Sequence, residues 1–63
     1  MKALKPGDSI KYQKYSGDRA TAQIVSMFNH LGEELNCEKP HNVHTILLDN
    51  GNRIAGFRVI ALA

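Results

Sequence analysis

Apolar and polar residues alternate with period two along most of this chain, and glycines mark several of the breaks. From Ser9 to Tyr15, Ile10 and Tyr12 share one face while Lys11, Gln13 and Tyr15 take the other, which predicts a strand. Ser16-Gly17-Asp18 ends that run and reads as a loop tip. Between Ala20 and Phe28, Ala22, Ile24, Ser26 and Phe28 alternate with Gln23, Val25 and Met27. The β-branched Thr21, Ile24 and Val25 favour a second strand there. Val43 to Leu48 and Arg53 to Ala55 flank Asn50-Gly51, the strongest local hairpin signal in the chain. A two-residue type I′ turn at Asn50-Gly51 pairs Asp49 with Asn52, Leu48 with Arg53, Leu47 with Ile54 and Ile46 with Ala55. Gly56-Phe57-Arg58 then bends the chain into a last strand, Val59 to Leu62.

Residues 29–42 carry no clear period. Asn29 is placed to cap a brief helical turn, with Glu33 and Glu34 in the early positions that favour negative charge. Gly32 and Pro40 limit such a helix to one or two turns, so the segment reads as a long connection. The sequence thus predicts an all-β domain of five short strands, closed into a small barrel that protects its edges.

The hairpin is apolar on both sides. Val43, Thr45, Leu47 and Ile54 lie on one face; Ile46, Leu48 and Ala55 lie on the other with His44 and Arg53. A half-solvated sheet alternates apolar with polar. Either residues 29–42 fold back over the outer face, or Ile46 and Leu48, with Arg53, form a subunit or partner interface. The second reading predicts a homo-oligomer.

Composition sets the bounds. With 63 residues, the chain is read as one domain spanning 1–63. A chain of this size hides only about 60% of its unfolded surface, so an oligomeric partner would add welcome stability. Cys37 is the only cysteine, which rules out an internal disulfide and suits a reducing cytoplasm. No apolar run is long enough to span a bilayer, so the expected location is cytoplasmic, without a membrane partner. Residues 1–15 hold four lysines against Asp8, and residues 29–48 hold three glutamates against Lys39, giving a basic end and an acidic loop.

With the strands placed, the layout resembles an SH3-like small barrel of the Tudor or KOW type. The resemblance is carried by Leu4-Lys5-Pro6-Gly7-Asp8-Ser9-Ile10, by Ala22-Gln23-Ile24-Val25 and by Leu47 through Leu62. It covers most of the chain except residues 29–42. It implies binding of peptides, modified side chains, RNA or protein partners, without fixing which. Gly7-Asp8, Gln23-Ile24-Val25 and Val59-Ile60-Ala61-Leu62 are also similar to plasmid-encoded type II dihydrofolate reductases. In that family a tetramer of SH3-like chains encloses one pore. The family's pore-lining Val-Gln-Ile-Tyr has no counterpart here, because Thr45-Ile46-Leu47-Leu48 lacks both Gln and Tyr.

Several residue groups are candidates for chemistry. Lys11, Lys14, Tyr15 and Arg19 form a basic strip beside an exposed ring, the combination that binds single-stranded nucleic acid. Cys37, His41 and His44, with His30 nearby, have zinc-type donors but no common structural zinc spacing, and read as surface histidines beside a thiol. Tyr12, Tyr15, Phe28 and Phe57 are too few to spare from packing for an aromatic cage. His30, His41 and His44 are potential bases, but the Ser and Thr residues show no nucleophile setting, and the carboxylates Glu33, Glu34 and Glu38 read as solvating groups of one loop. The expectation is a non-catalytic module with no cofactor and no metal. It binds nucleic acid through Lys11, Lys14, Tyr15 and Arg19, or, alternatively, a protein through residues 29–42 and the Ile46/Leu48 face; the third alternative, implied by the reductase resemblance, is an oligomeric pore enzyme.

Overall fold

The computed structural model describes residues 2–63. It is all-β: β1 (Ser9–Gln13), β2 (Arg19–Phe28), β3 (Glu34–Leu35), β4 (Thr45–Leu48), β5 (Arg53–Ile54) and β6 (Val59–Leu62). Single 3-10 turns at Pro40–Asn42 and Gly56–Arg58 precede β4 and β6. The strands make one antiparallel sheet in the order β5-β4-β2-β1-β6, with β3 added to the far end of β2. There are six strands rather than the five expected, and the sheet does not close into a barrel.

The long β2 organises the sheet. Its first half pairs with β1, from Gln13↔Arg19 to Ser9↔Gln23, and its second half pairs with β4. The register shifts between Ile24 and Ser26, and this bulge changes the phase of the alternation. Ala22 and Ile24, which share a face by period two, point into the core, but beyond the bulge it is Met27 that is buried, while Ser26 and Phe28 are half-exposed. Strict period two misplaces those residues because one extra residue was unpaired.

The hairpin differs from its predicted register by one residue. Gly51 alone has positive φ, at 85°, and Asn50 does not. Gly51 N–H donates to Leu48 O at 3.0 Å and Leu48 N–H donates to Asn52 O at 2.9 Å, so the loop is Asp49-Asn50-Gly51. This is the three-residue turn with one left-handed glycine, not a type I′ pair. Asp49 is drawn into the loop by Gln23, whose N–H donates to its carboxylate at 3.2 Å and whose carbonyl accepts the Asp49 N–H at 2.9 Å. Ile46 now faces Ile54 and Leu47 faces Arg53.

That slip removes the two-faced apolar pattern, because a shift of one residue exchanges the sides of a strand. Ile46, Leu48 and Ile54 converge in the core, where Ile46 is 0% and Leu48 2% exposed. Neither supplies the outer interface read from the sequence; each adds about 1.5–3 kcal/mol by burial instead. Arg53 stays exposed beside the half-buried Leu47. Leu4, Ile10, Tyr12, Ile24, Met27, Val43 and Val59 complete the core. The Tyr12 hydroxyl, at its margin, accepts a bond from Asn50 Nδ2 at 3.2 Å.

Residues 29–42 are more ordered than a long loop. Asn29 caps a turn, not a helix: its Oδ1 accepts the N–H groups of Leu31 and Glu33, both at 2.9 Å. The chain returns as β3, then bridges Leu4 to Glu38 through paired backbone bonds of 2.7 and 3.0 Å. The brief helical turn lies later, at Pro40–Asn42.

Gly56 locks this segment to the C-terminal arm. Its N–H donates to Val43 O at 3.1 Å, and a Cβ at this position would run into the carbonyl oxygens of Pro40 and Val43. Gly51 has open space around its Cβ position and is constrained by φ alone. Gly51→Val is therefore expected to cost about 1–2 kcal/mol through left-handed strain. Gly56→Ala is expected to cost about 3 kcal/mol, because backbone must move to admit the methyl. A chain this short has roughly 3–9 kcal/mol in all, so the second variant sits near its unfolding threshold. Urea melts of the two variants beside the parent check this ranking.

Candidate binding groove

The side chains that carry chemistry gather where turns from distant parts of the chain meet. The β1–β2 turn contributes Tyr15, the β2–β3 turn His30 and the first 3-10 turn His41. His44 precedes β4, Arg53 starts β5 and Phe57 sits in the second 3-10 turn. Together they line an open groove of about 660 Å³. Its floor is apolar, built from Val43, Ile54 and Ala55.

The rings are the least ordinary part. Tyr15 and Phe57 are each 77% exposed, half of the four aromatics in the chain. The Arg58 guanidinium lies 4.1 Å from the Tyr15 ring centroid and 5.4 Å from that of Phe57. Its Nη1 donates to Lys14 O at 3.4 Å, and its buried Nε has no partner. The flat cation thus ties two solvent-facing rings to the sheet. His44 Nδ1 and the Thr45 hydroxyl are 2.9 Å apart, which orients the His44 imidazole.

Electrostatically the groove is one-sided. Arg53 and three histidines line it, and no carboxylate does. Glu38 sits behind the turn that bears His41. Its carboxyl is held below the usual range first by the Lys39 backbone N–H at 2.9 Å, then by the Asn42 amide, with smaller contributions from the charges of His41 and Lys39.

The sequence-predicted nucleic-acid strip is divided. Lys11 and Arg19 lie on the exposed face of the β1–β2 pair, Lys11 opposite Thr21 and Arg19 opposite Gln13. Tyr15 lines the groove, whereas Lys14 is exposed outside it, its carbonyl accepting from Arg58 Nη1. Of the predicted interface set, only Arg53 is at a surface, and it lines the groove. Cys37 is exposed and outside the groove, and among the described residues no three His, Cys, Asp or Glu side chains come together as a metal site. Tyr12 is in the core and Phe28 half-buried, so the four rings do not meet as a cage. Sequence reasoning weighed Phe57 only as a cage ring and missed Arg58 as a site residue. The signal was a bulky ring beside a cation in a glycine-led bend, a place that buries little.

The chain matches no protein-family profile, and no curated protein or solved structure gives a significant match to it. Among the described residues no helix is long and apolar enough to cross a membrane.

The lowered Glu38 group has a pH consequence. A carboxylate whose folded value is depressed adds stability that is fully present above its unfolded value, about 4.3 for Glu, and is lost as pH falls through the folded value. Glu38→Gln should therefore melt below the parent at neutral pH, and the gap should close below the usual carboxylate range. Thermal melts from neutral to strongly acidic pH read this directly.

Proposed function

We propose that this chain is a non-catalytic nucleic-acid-binding module on an SH3-like sheet, and that its ligand lies in the groove bounded by Tyr15, Phe57 and Arg53. The observation that carries the reading is the groove's composition. Cationic and imidazole side chains line it beside two exposed rings, with no carboxylate, in a chain that has six acidic residues. A polyanion with planar groups satisfies both features at once. The SH3-like assignment is supported by the Gly7-Asp8 turn before β1, the Asn50-Gly51 hairpin, and the bend that leads into an apolar last strand beside β1.

A narrower footing supports a protein-interaction module. β6 ends the sheet, and Ile60 and Leu62 on it are exposed, which suits pairing with another strand or a second copy. Light scattering of the chain alone tests the second-copy form of this reading, which predicts a dimer.

The nucleic-acid reading is tested by titrating labelled oligonucleotides against salt. Affinity should fall steeply, with a log–log slope of about −0.7 per phosphate on a single strand or −0.9 on a duplex. Arg53→Gln should weaken binding and flatten that slope by about one contact. Replacing Lys11 and Arg19 together with Gln should change affinity far less. The reverse ranking would move the site to the open sheet face.

A further inference from the structure

We infer that the ligand of this groove is single-stranded, with unpaired bases stacked on Tyr15 and Phe57 while its backbone follows Arg53 and the histidines; this inference rests on the nucleic-acid reading above. The groove is not an isolated hollow. A second hollow, bounded by Lys39 and Pro40, shares His41 and Phe57 with it, and a third, bounded by Phe28 and Leu47, shares His30, His44 and Arg53. The three hollows therefore adjoin one another as a band across the turns. No carboxylate lines any of them, and Lys39 adds a cation at one end.

A band of this kind fits a flexible strand. A duplex hides the faces of its bases in the stack and is read by a helix or ribbon entering the major groove. Among the described residues there is no α-helix, and Tyr15, at the tip of the β1–β2 ribbon, turns back onto Arg58. Only an unpaired base offers a face to rings that stand 77% exposed. Stacking on them recovers apolar contact that the fold leaves unused.

Arg58 acts as a positioning residue. Its guanidinium lies against both rings and is anchored to the Lys14 carbonyl, so the stacking surface is formed before any ligand arrives. Preformed rings lose little freedom on binding. The half-buried Arg58 leaves Arg53 and the imidazoles as the groups open to phosphate.

The test is fluorescence anisotropy of the full chain with short oligothymidine, oligouridine and a mixed-sequence duplex, and with polyglutamate as competitor. The tighter of the two single strands should bind roughly tenfold or more better than the duplex, and polyglutamate should compete poorly. Tyr15→Ala and Phe57→Ala should each cost roughly tenfold, while Tyr15→Phe and Phe57→Tyr, which keep the rings, retain affinity. Both rings are exposed, so the alanine variants should keep the parent's circular dichroism and melting point; the ring-keeping pair provides the comparison if one does not. Equal affinity for duplex and single strand, or unchanged binding by both alanine variants, overturns the single-strand inference and leaves the nucleic-acid reading standing. Competition by polyglutamate as strong as by oligothymidine also overturns it, because the groove would then read charge alone. Failure of every nucleic acid to bind at low salt overturns both.

Discussion

Where the backbone of Gly56 runs against the carbonyls of Pro40 and Val43, no β-carbon fits, and the arrangement of the groove follows from that contact. On one side lies the first 3-10 turn with His41; on the other lies the second, with Phe57 and Arg58. If the two turns stood further apart, Phe57 would leave His41. The hydrogen bond from Gly56 to Val43, at 3.1 Å, holds the approach from the backbone side. The residue that holds the two turns together thus has no side chain. Its role is steric: it lets two turns pack backbone to backbone, and the groove forms over their junction.

Much of the sheet was legible in the sequence for a simple reason: period two is a local property. The buried Ile10 and Tyr12, the loop tip at Ser16–Asp18 and the strand Val59–Leu62 all follow from neighbours a few residues apart. What was not legible depends on partners far along the chain. The bulge after Ile24 arises where β2 passes from β1 to β4, and it alone decides that Met27 rather than Phe28 is buried. The one-residue slip in the hairpin has the same origin. Asn-Gly suits a two-residue turn, but Gln23 holds Asp49 in the loop, and the three-residue turn then sends Ile46, Leu48 and Ile54 to one side. Burying three large side chains together outweighs the few tenths of a kcal/mol that separate good turn types, since each contributes about 1.5–3 kcal/mol. An apparent interface was therefore a core seen in the wrong register.

The groove was less legible than the sheet, because its residues come from six separate turns and strand ends. Tyr15 was identified because an exposed ring beside lysines stands out within one strand. His30, His41 and His44 drew attention as metal ligands, which is the chemistry their proximity in sequence suggests. In space they line a wall with Arg53 instead of converging with Cys37. Spacing along a loop says which donors are close in the chain, and only the return of β3 and the Leu4–Glu38 bridge decides which way they face.

The charge asymmetry of the groove has a local cause as well. Five of the six carboxylates are engaged in the chain's own turns. Asp8 accepts from Lys5 N–H, Asp18 from Ser16, Asp49 from Gln23 N–H, Glu33 from Asn29 and Glu38 from Lys39 N–H. Asp8, Asp49 and Glu38 accept backbone N–H groups that a tight turn leaves unpaired, and Asp18 and Glu33 accept from turn side chains. Arg53, His30 and His41 make no such turn contact and stand where the turns meet. In a domain of this size, turn chemistry and surface charge are thus decided by the same few residues. The acidic ones tie off the corners of the sheet, and the groove between those corners is left with the cations and the rings.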